Sequence, residues 1–333
     1  MKLNNRMMCA ICVLALCAVS PGISQTDKKA QVGFRFLENP ISAEVVGRGG
    51  TGILSTMNSN AIFWNPSLIG WQTSDVDLSL NHTRFIADIN YNAAAASIKL
   101  GSFGVLGFSM LMMDYGTFYS TYAADNDKGY VETGTFSPKS YAVGVAFSQQ
   151  VTDRFSYGIH VKYCSQDLGD AWVAQDVSIV QRAYASNAIA LDVGTVYDFL
   201  YKGIRFAATM QNISKELQYE NEKFPLPFAV SFGMTVQPLM FIDETEAMKS
   251  LTLSIESRHP RDFGEKVKFG AEYKVYSFFA VRAGYMTNYD ERGLTAGVGF
   301  SYPVSGVPLR ADYAYEPFGI FGGVHYLSLG VSY

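Results

Sequence analysis

What most constrains this chain is a period of two. It recurs in segments of about ten residues from residue 75 to the last residue. In "VKFGAEYKV", Val267, Phe269, Ala271, Tyr273 and Val275 share one face, and Lys268, Gly270, Glu272 and Lys274 share the other. "LTAGVGFSY" (294–302) and "FSYGIHVKY" (155–163) divide in the same way. Successive side chains of a strand point to opposite faces, so each segment reads as a strand with one apolar face. The most apolar run of this region, "FGVLGFSMLMM" (103–113), is broken by Gly and Ser, whereas a spanning helix needs about 20 apolar residues. Strands enter lipid only as a closed barrel, because an open sheet edge leaves backbone groups unpaired there.

Fourteen such segments are expected, starting near residues 75, 88, 103, 139, 155, 187, 203, 226, 250, 266, 278, 293, 307 and 324. An even count and alternating link lengths suit an outer-membrane barrel, with short turns at one end and long loops at the other. "LGS" (100–102), "YKG" (201–203), "YS" (276–277) and "PVSG" (303–306) are the short links, and 114–138 and 165–186 the longest. The link 238–249 is a long one on the short side. A soluble β-sandwich or barrel would show the same alternation. Against it stand a second face rich in Gly, Ser, Thr and Ala, and aromatics at strand ends: Tyr273, Tyr285, Tyr302, Tyr313, Tyr315 and Tyr333. Such aromatics form a girdle at a lipid interface. Composition agrees, with 14 % aromatic and only 17 % charged residues, against about 25 % charged in soluble domains. The expected fold is all-β: a 14-stranded antiparallel transmembrane outer-membrane barrel with an N-terminal plug-like segment. Tyr333, closing the last strand, is expected to be read by the barrel-insertion machinery.

Residues 1–25 read as a signal peptide. Lys2 and Arg6 precede the apolar "MMCAICVLALCAV" (7–19), and "SPGIS" offers small residues for cleavage. Export to the outer membrane is the expected localisation. Of four cysteines only Cys164 lies beyond the signal, so no internal disulfide is expected. The whole chain carries a formal charge of −4, and losing Lys2 and Arg6 makes it more acidic, which argues against nucleic acid as a partner. Residues 75–333 are assigned to the barrel and 26–74 to a periplasmic or plug segment. The latter does not alternate. Its "GRGGTG" (47–52) matches a dinucleotide fingerprint in form, but no βαβ context surrounds it. Gly47, Gly49, Gly50 and Gly52 are read instead as points of close backbone approach within the barrel mouth, and Asn65 as the cap of a turn beginning at Pro66.

"FLENPISAEVVGRGGTGILSTMNSNAIFWNPSLIGW", "HPRDFGEKVKFGAEYKVYSFFAVRAGYMTNYDERGLTAGVGFSY" (259–302) and "LRADYAYEPFGIFGGVHYLSLGVSY" (309–333) resemble the PorV/PorQ family of Bacteroidetes outer-membrane proteins. The resemblance implies a barrel of the FadL type. It also implies work in the type IX secretion system, where the outer loops hold the C-terminal domains of secreted cargo or a surface anchor, with secretion subunits as partners. The alternative is a FadL-like channel for hydrophobic or small amphipathic solutes.

The residues themselves offer no enzyme. His82, His160, His259 and His325 fall in separate segments, and no hydrolase or metal motif appears. No catalytic residue, cofactor or metal is therefore expected. Asp192, Arg205, Glu256, Lys268, Glu272, Arg282, Arg310, Asp312 and Glu316 are placed on the lumen face, either as salt bridges that stiffen the wall and grip the N-terminal segment or as a selective solute path. Tyr115, Tyr119, Tyr122 and Trp172 in the long loops are candidates for a protein-binding rim.

Overall fold

The computed structural model describes residues 32–175, 178–219, 222–243, 250–276 and 278–333; the expected signal peptide lies outside them. The chain runs through β1 (Val76–Arg84), β2 (Asn90–Lys99) and β3 (Val105–Asp114), then a small hairpin of β4 (Phe118–Ala123) and β5 (Tyr130–Phe136). There follow β6 (Lys139–Gln150), β7 (Phe155–Gln175), β8 (Ser178–Asp198) and β9 (Arg205–Ile213), and a second small hairpin of β10 (Leu217–Tyr219) and β11 (Glu222–Phe224). The last strands are β12 (Ala229–Val236), β13 (Leu251–Pro260), β14 (Lys266–Tyr276), β15 (Phe279–Met286), β16 (Leu294–Val304), β17 (Val307–Pro317) and β18 (Gly323–Ser332). Without the two hairpins, fourteen strands form one closed antiparallel barrel in chain order, and β1 pairs with β18 from Asp77↔Ser332 to Arg84↔His325.

The two faces of each strand decide what surrounds the wall. On β1, Leu80 is 61 % exposed on the outside, while Asp77 is 1 % exposed on the inside, together with buried Ser79, Asn81 and Thr83. On β18, Leu327 and Leu329 face out and Tyr326 and Ser328 face in. Apolar outside and polar inside inverts a soluble barrel and matches a lipid-facing one.

The polar inner face is buried because residues 32–74 lie against it. This segment is built from short turns at Arg35–Glu38, Ser59–Phe63 and Pro66–Trp71 and one short helix, α1 (Ala43–Gly47). It runs the length of the lumen. At the long-loop end Gly33 N donates to Pro225 O (3.1 Å), and Phe34 and Phe36 pack on Tyr91, Leu111 and Met113. At the short-turn end the Trp71 indole donates to Ser156 Oγ (2.6 Å). Between them Ile53, Ile62, Leu68 and Ile69 form a second apolar cluster with wall residues Ala95, Ala146, Val196 and Ala207. The core of this protein is therefore inside the barrel and centred on the segment.

Two expectations needed revision. The segment is not confined to the short-turn mouth, because its phenylalanines find their apolar partners at the opposite end. The sixth barrel strand, β8, begins at Ser178, not near 187: β7 and β8 are 21 residues each, about twice what a crossing requires. Their outer parts pair with each other from Asp170↔Ala183 to Gln175↔Ser178, beyond the last pairings with β6 (Asp167) and β9 (Leu191). The expected loop 165–186 is thus an arm, and 114–138 contains the β4–β5 hairpin.

If the core is internal, Ile62→Ala should lower the unfolding free energy by about 2–5 kcal/mol, and Leu80→Ala on the outer face by less than half of that. Urea unfolding in lipid vesicles, followed by intrinsic fluorescence, measures both.

Candidate functional site: two lumen cavities and the turn between them

Among the described residues, two cavities flank the N-terminal segment in the lumen. One of about 420 Å³ opens toward the short-turn end, bounded by Glu44, Arg48, Arg205, Glu272, Arg282 and Asp312 among others. The second, of about 260 Å³, lies toward the long loops between Arg35–Ile41, Trp64 and the outer ends of β13 to β16. A single turn of chain, Gly47–Gly52, passes between them: Arg48 lines the first cavity and Gly50 the second.

That turn sits against the wall through backbone. A Cβ on Gly284 would collide with Gly49, and one on Gly297 would meet the Gly47 Cα at 3.0 Å. Gly49 and Gly50 adopt φ of 66° and 70°, a region other L-residues enter only at a cost. Gly52 backs onto the Trp64 ring. Asn65 is the cap of the Pro66–Trp71 turn, accepting from Ser67 N (3.1 Å), and its own amide donates to Ile53 O (2.9 Å).

Charge holds the turn in place. Glu256 Oε2 accepts from the backbone N–H of Gly52 (2.8 Å) and Ile53 (3.2 Å). Its other oxygen pairs with Lys268 Nζ at 2.8 Å, and Lys268 also donates to Gly50 O (3.0 Å). Glu256 and Lys268 are both buried. Two wall residues thus pair with two backbone groups of the turn and the N–H of the residue after it, and neutralise one another, as buried charges must.

The other lumen charges form separate groups, not one network. Arg282 donates to Glu272 (2.7 Å) and Asp312 (2.6 Å). Arg310 donates to Asp77 (2.7 Å), which also accepts from Ser59 N (2.9 Å) and so ties the segment to the closing seam. Asp192 pairs with Lys162 (2.8 Å) and His160 Nδ1 (3.1 Å) and accepts from Asn212 N (2.7 Å). Arg205 pairs with Asp198 (2.6 Å), and Glu316 with Arg292. In α1, burial pushes the Glu44 carboxyl above its ordinary range, against the pull of Arg282 and Arg48.

Sequence reasoning missed Asp77, Arg48, Glu44, Arg258, Lys266 and Arg292. Glu44 and Arg48 carried a signal, being an i,i+4 pair of opposite charge (3.4 Å). The other four stand at strand beginnings or ends or in a loop, where alternation is no guide.

Of the loop aromatics, Tyr119 is 80 % and Trp172 37 % exposed, and Tyr122 is half-buried. Tyr115 is turned inward against the Phe34/Phe36 cluster, 3.4 Å from Ser140 Oγ. Tyr333 is exposed, and its backbone exchanges two hydrogen bonds with Val76. Among the described residues no group of three His, Cys, Asp or Glu is placed to hold a metal ion.

No protein-family profile matches the chain, and no curated protein matches it in sequence. Solved structures do. The Pseudomonas putida toluene transporter TodX superposes with a TM-score of 0.56 at 11 % identity, over 87 % of this chain and 96 % of that one. A Pseudomonas aeruginosa FadL homologue gives 0.55 at 12 % identity, over 89 % and 98 %. The Ralstonia pickettii toluene transporter TbuX gives 0.52 at 14 % identity, over 88 % and 97 %. The chain therefore has the FadL-like outer-membrane barrel fold.

Removing the Glu256 carboxylate alone should be costly, since it leaves Lys268 buried without its counter-charge. Glu256→Ala is expected to destabilise by about 3–5 kcal/mol, and Glu256→Ala with Lys268→Met by clearly less. The same vesicle unfolding assay, run as a double-mutant cycle, checks this.

Proposed function

We propose that the protein is an outer-membrane conduit for small amphipathic solutes, closed at rest by its own N-terminal segment. Short turns face the periplasm and long loops the outside, as in barrels of this type. The observation that carries the reading is the pair of cavities, one toward each mouth, separated by the single turn Gly47–Gly52. Its side-chain anchors on the wall are local: the Glu256–Lys268 pair with the hydrogen bonds it makes, Thr295, whose hydroxyl accepts from Gly49 N (3.0 Å) and donates to Gly47 O (3.4 Å), and Ser254, 2.9 Å from the Thr51 hydroxyl. A local shift of the turn joins the cavities without unfolding the wall. The solved structures of similar fold include toluene transporters and a monoaromatic hydrocarbon channel, which favours the channel alternative over the secretion role that the PorV/PorQ resemblance implies. The cavities here are lined by charge, so the solute proposed carries a polar group.

Planar bilayers containing the full-length protein test this. Wild type should show rare, brief openings, and Glu256→Gln with Lys268→Met should raise the open probability at least about tenfold. A cysteine pair joining Gly50 to Lys268, once oxidised, should abolish the openings. Equal currents from all three would sink the reading.

A second reading keeps one specific observation: the β7–β8 arm, which carries exposed Trp172 and stands beside the β4–β5 hairpin with exposed Tyr119. It is a surface on which a protein partner could dock. Capture of a secreted protein by wild type from outer membranes, lost on deleting 118–136 while conductance stays unchanged, is the outcome that reading expects.

A further inference from the structure

The outer cavity has an unusual charge balance. Five cations line it (Arg35, Arg258, Lys266, Lys268 and Arg292) and a single carboxylate, Glu38. Three more acids stand just behind: Asp262 pairs with Arg35 (2.8 Å), Glu256 with Lys268 and Glu316 with Arg292. Glu38 is shared between Arg35 and a longer contact to Arg258 (3.7 Å). Glu265 turns away to Ser257 Oγ (2.6 Å) and His259. Among the described residues no carboxylate lies within ion-pair distance of Lys266. The group therefore holds one positive charge more than its acids offset.

The position of that charge is fixed by aromatic rings. Lys266 Nζ stands 4.5 Å from the Phe263 ring centre and 4.3 Å from that of Tyr289, and the Arg292 guanidinium 5.3 Å from the latter. Ring faces hold a cation while leaving its other donors open to a ligand. A second, independent sign is Trp64. It lines the same cavity, and its indole N–H is buried with no hydrogen-bond partner, a state that costs free energy unless a ligand accepts from it. The volume is just below the ~300–1,000 Å³ typical of small-molecule sites, which suits a compact body and not a long acyl chain.

We propose that the outer cavity is a binding site for a small organic monoanion, a carboxylate on a flat ring, with Lys266 and Arg258 on the carboxylate and Phe263, Tyr289 and Trp64 around the ring. This deepens the conduit reading and rests on it for its purpose: the site names what is taken from outside. Equilibrium binding, however, needs no conduction.

Isothermal titration of the full-length protein in detergent, with benzoate as probe, tests it. Benzoate should bind saturably, and Lys266→Met should weaken it at least about tenfold, with Lys266→Arg staying within about threefold of wild type. Benzylamine, of the same shape and opposite charge, should not bind. Lys266 makes no ion pair, so Lys266→Met should fold; a retained electrophoretic shift on heating confirms that each variant is a closed barrel. Absent benzoate binding, equal affinity in Lys266→Met, equal binding of benzylamine, or displacement of benzoate by equimolar inorganic phosphate would each overturn the assignment. Benzoate binding in a protein that never conducts would sink the conduit and leave the site standing. Conduction without benzoate binding would do the reverse.

Discussion

Everything in this structure depends on the sheet having no edge. A backbone N–H or C=O left unpaired in hydrocarbon costs several kcal/mol, so the wall must return to itself, and it does so where β1 meets β18. The seam is held by more than backbone. Asp77 on β1 accepts from Ser332 Oγ (2.7 Å) and from Arg310 of the next strand over, and it also takes Ser59 from the lumen segment. One buried carboxylate thus joins the first strand, the last two strands and the chain that fills the interior. Closure and filling are coupled at that point.

Filling follows from closure in a second way. A fourteen-stranded wall encloses more space than its inner side chains can occupy, and polar inner residues would otherwise face water. The N-terminal segment takes that space, and the inner face has adjusted to it residue by residue. Where the segment's backbone touches the wall, the wall is glycine: Gly158 beneath Pro66, Gly270 beneath Arg48, Gly284 beneath Gly49. The small residues that alternate with apolar ones along these strands are therefore the imprint of another chain segment. That explains why the inner set is small as well as polar. The Asn65 side chain sits as closely over Gly194, so the fit is specific to this path of the segment and leaves cavities where the path bends away.

The strands were legible because a two-residue period with an apolar face has one structural meaning once helices are ruled out. Thirteen of fourteen begin within three residues of where alternation placed them. The sixth, β8, does not, since residues 178–187 ("SIVQRAYASN") pair with β7 alone and carry no sustained apolar period, β9 joining only from Leu191. Of the charged residues assigned to the inner face, Asp192, Glu256, Lys268, Glu272, Arg282 and Glu316 are buried. Their partners are legible only in part. Glu256 and Lys268 face each other in register and Lys162 lies diagonal to Asp192 on the adjacent strand, but Asp77 for Arg310 reaches across β18. The outer cavity was invisible for a stronger reason. Arg35, Arg258, Lys266 and Arg292 come from the segment, two strand ends and a loop, and no sequence interval relates them.

This division also explains how the fold can persist at 11–14 % identity. Pairing uses backbone, which every residue supplies. Outward positions need only be apolar, and inward ones need only match the segment that covers them. Neither demand fixes which charged groups surround the cavities that remain. In this chain those cavities are bounded by α1, the Gly47–Gly52 turn and the ends of β13 to β16, the parts that strand pairing constrains least. A wall shared with hydrocarbon transporters is therefore compatible with a lumen that places five cations around one small space. What the lumen can hold is decided by the side chains that closure leaves free.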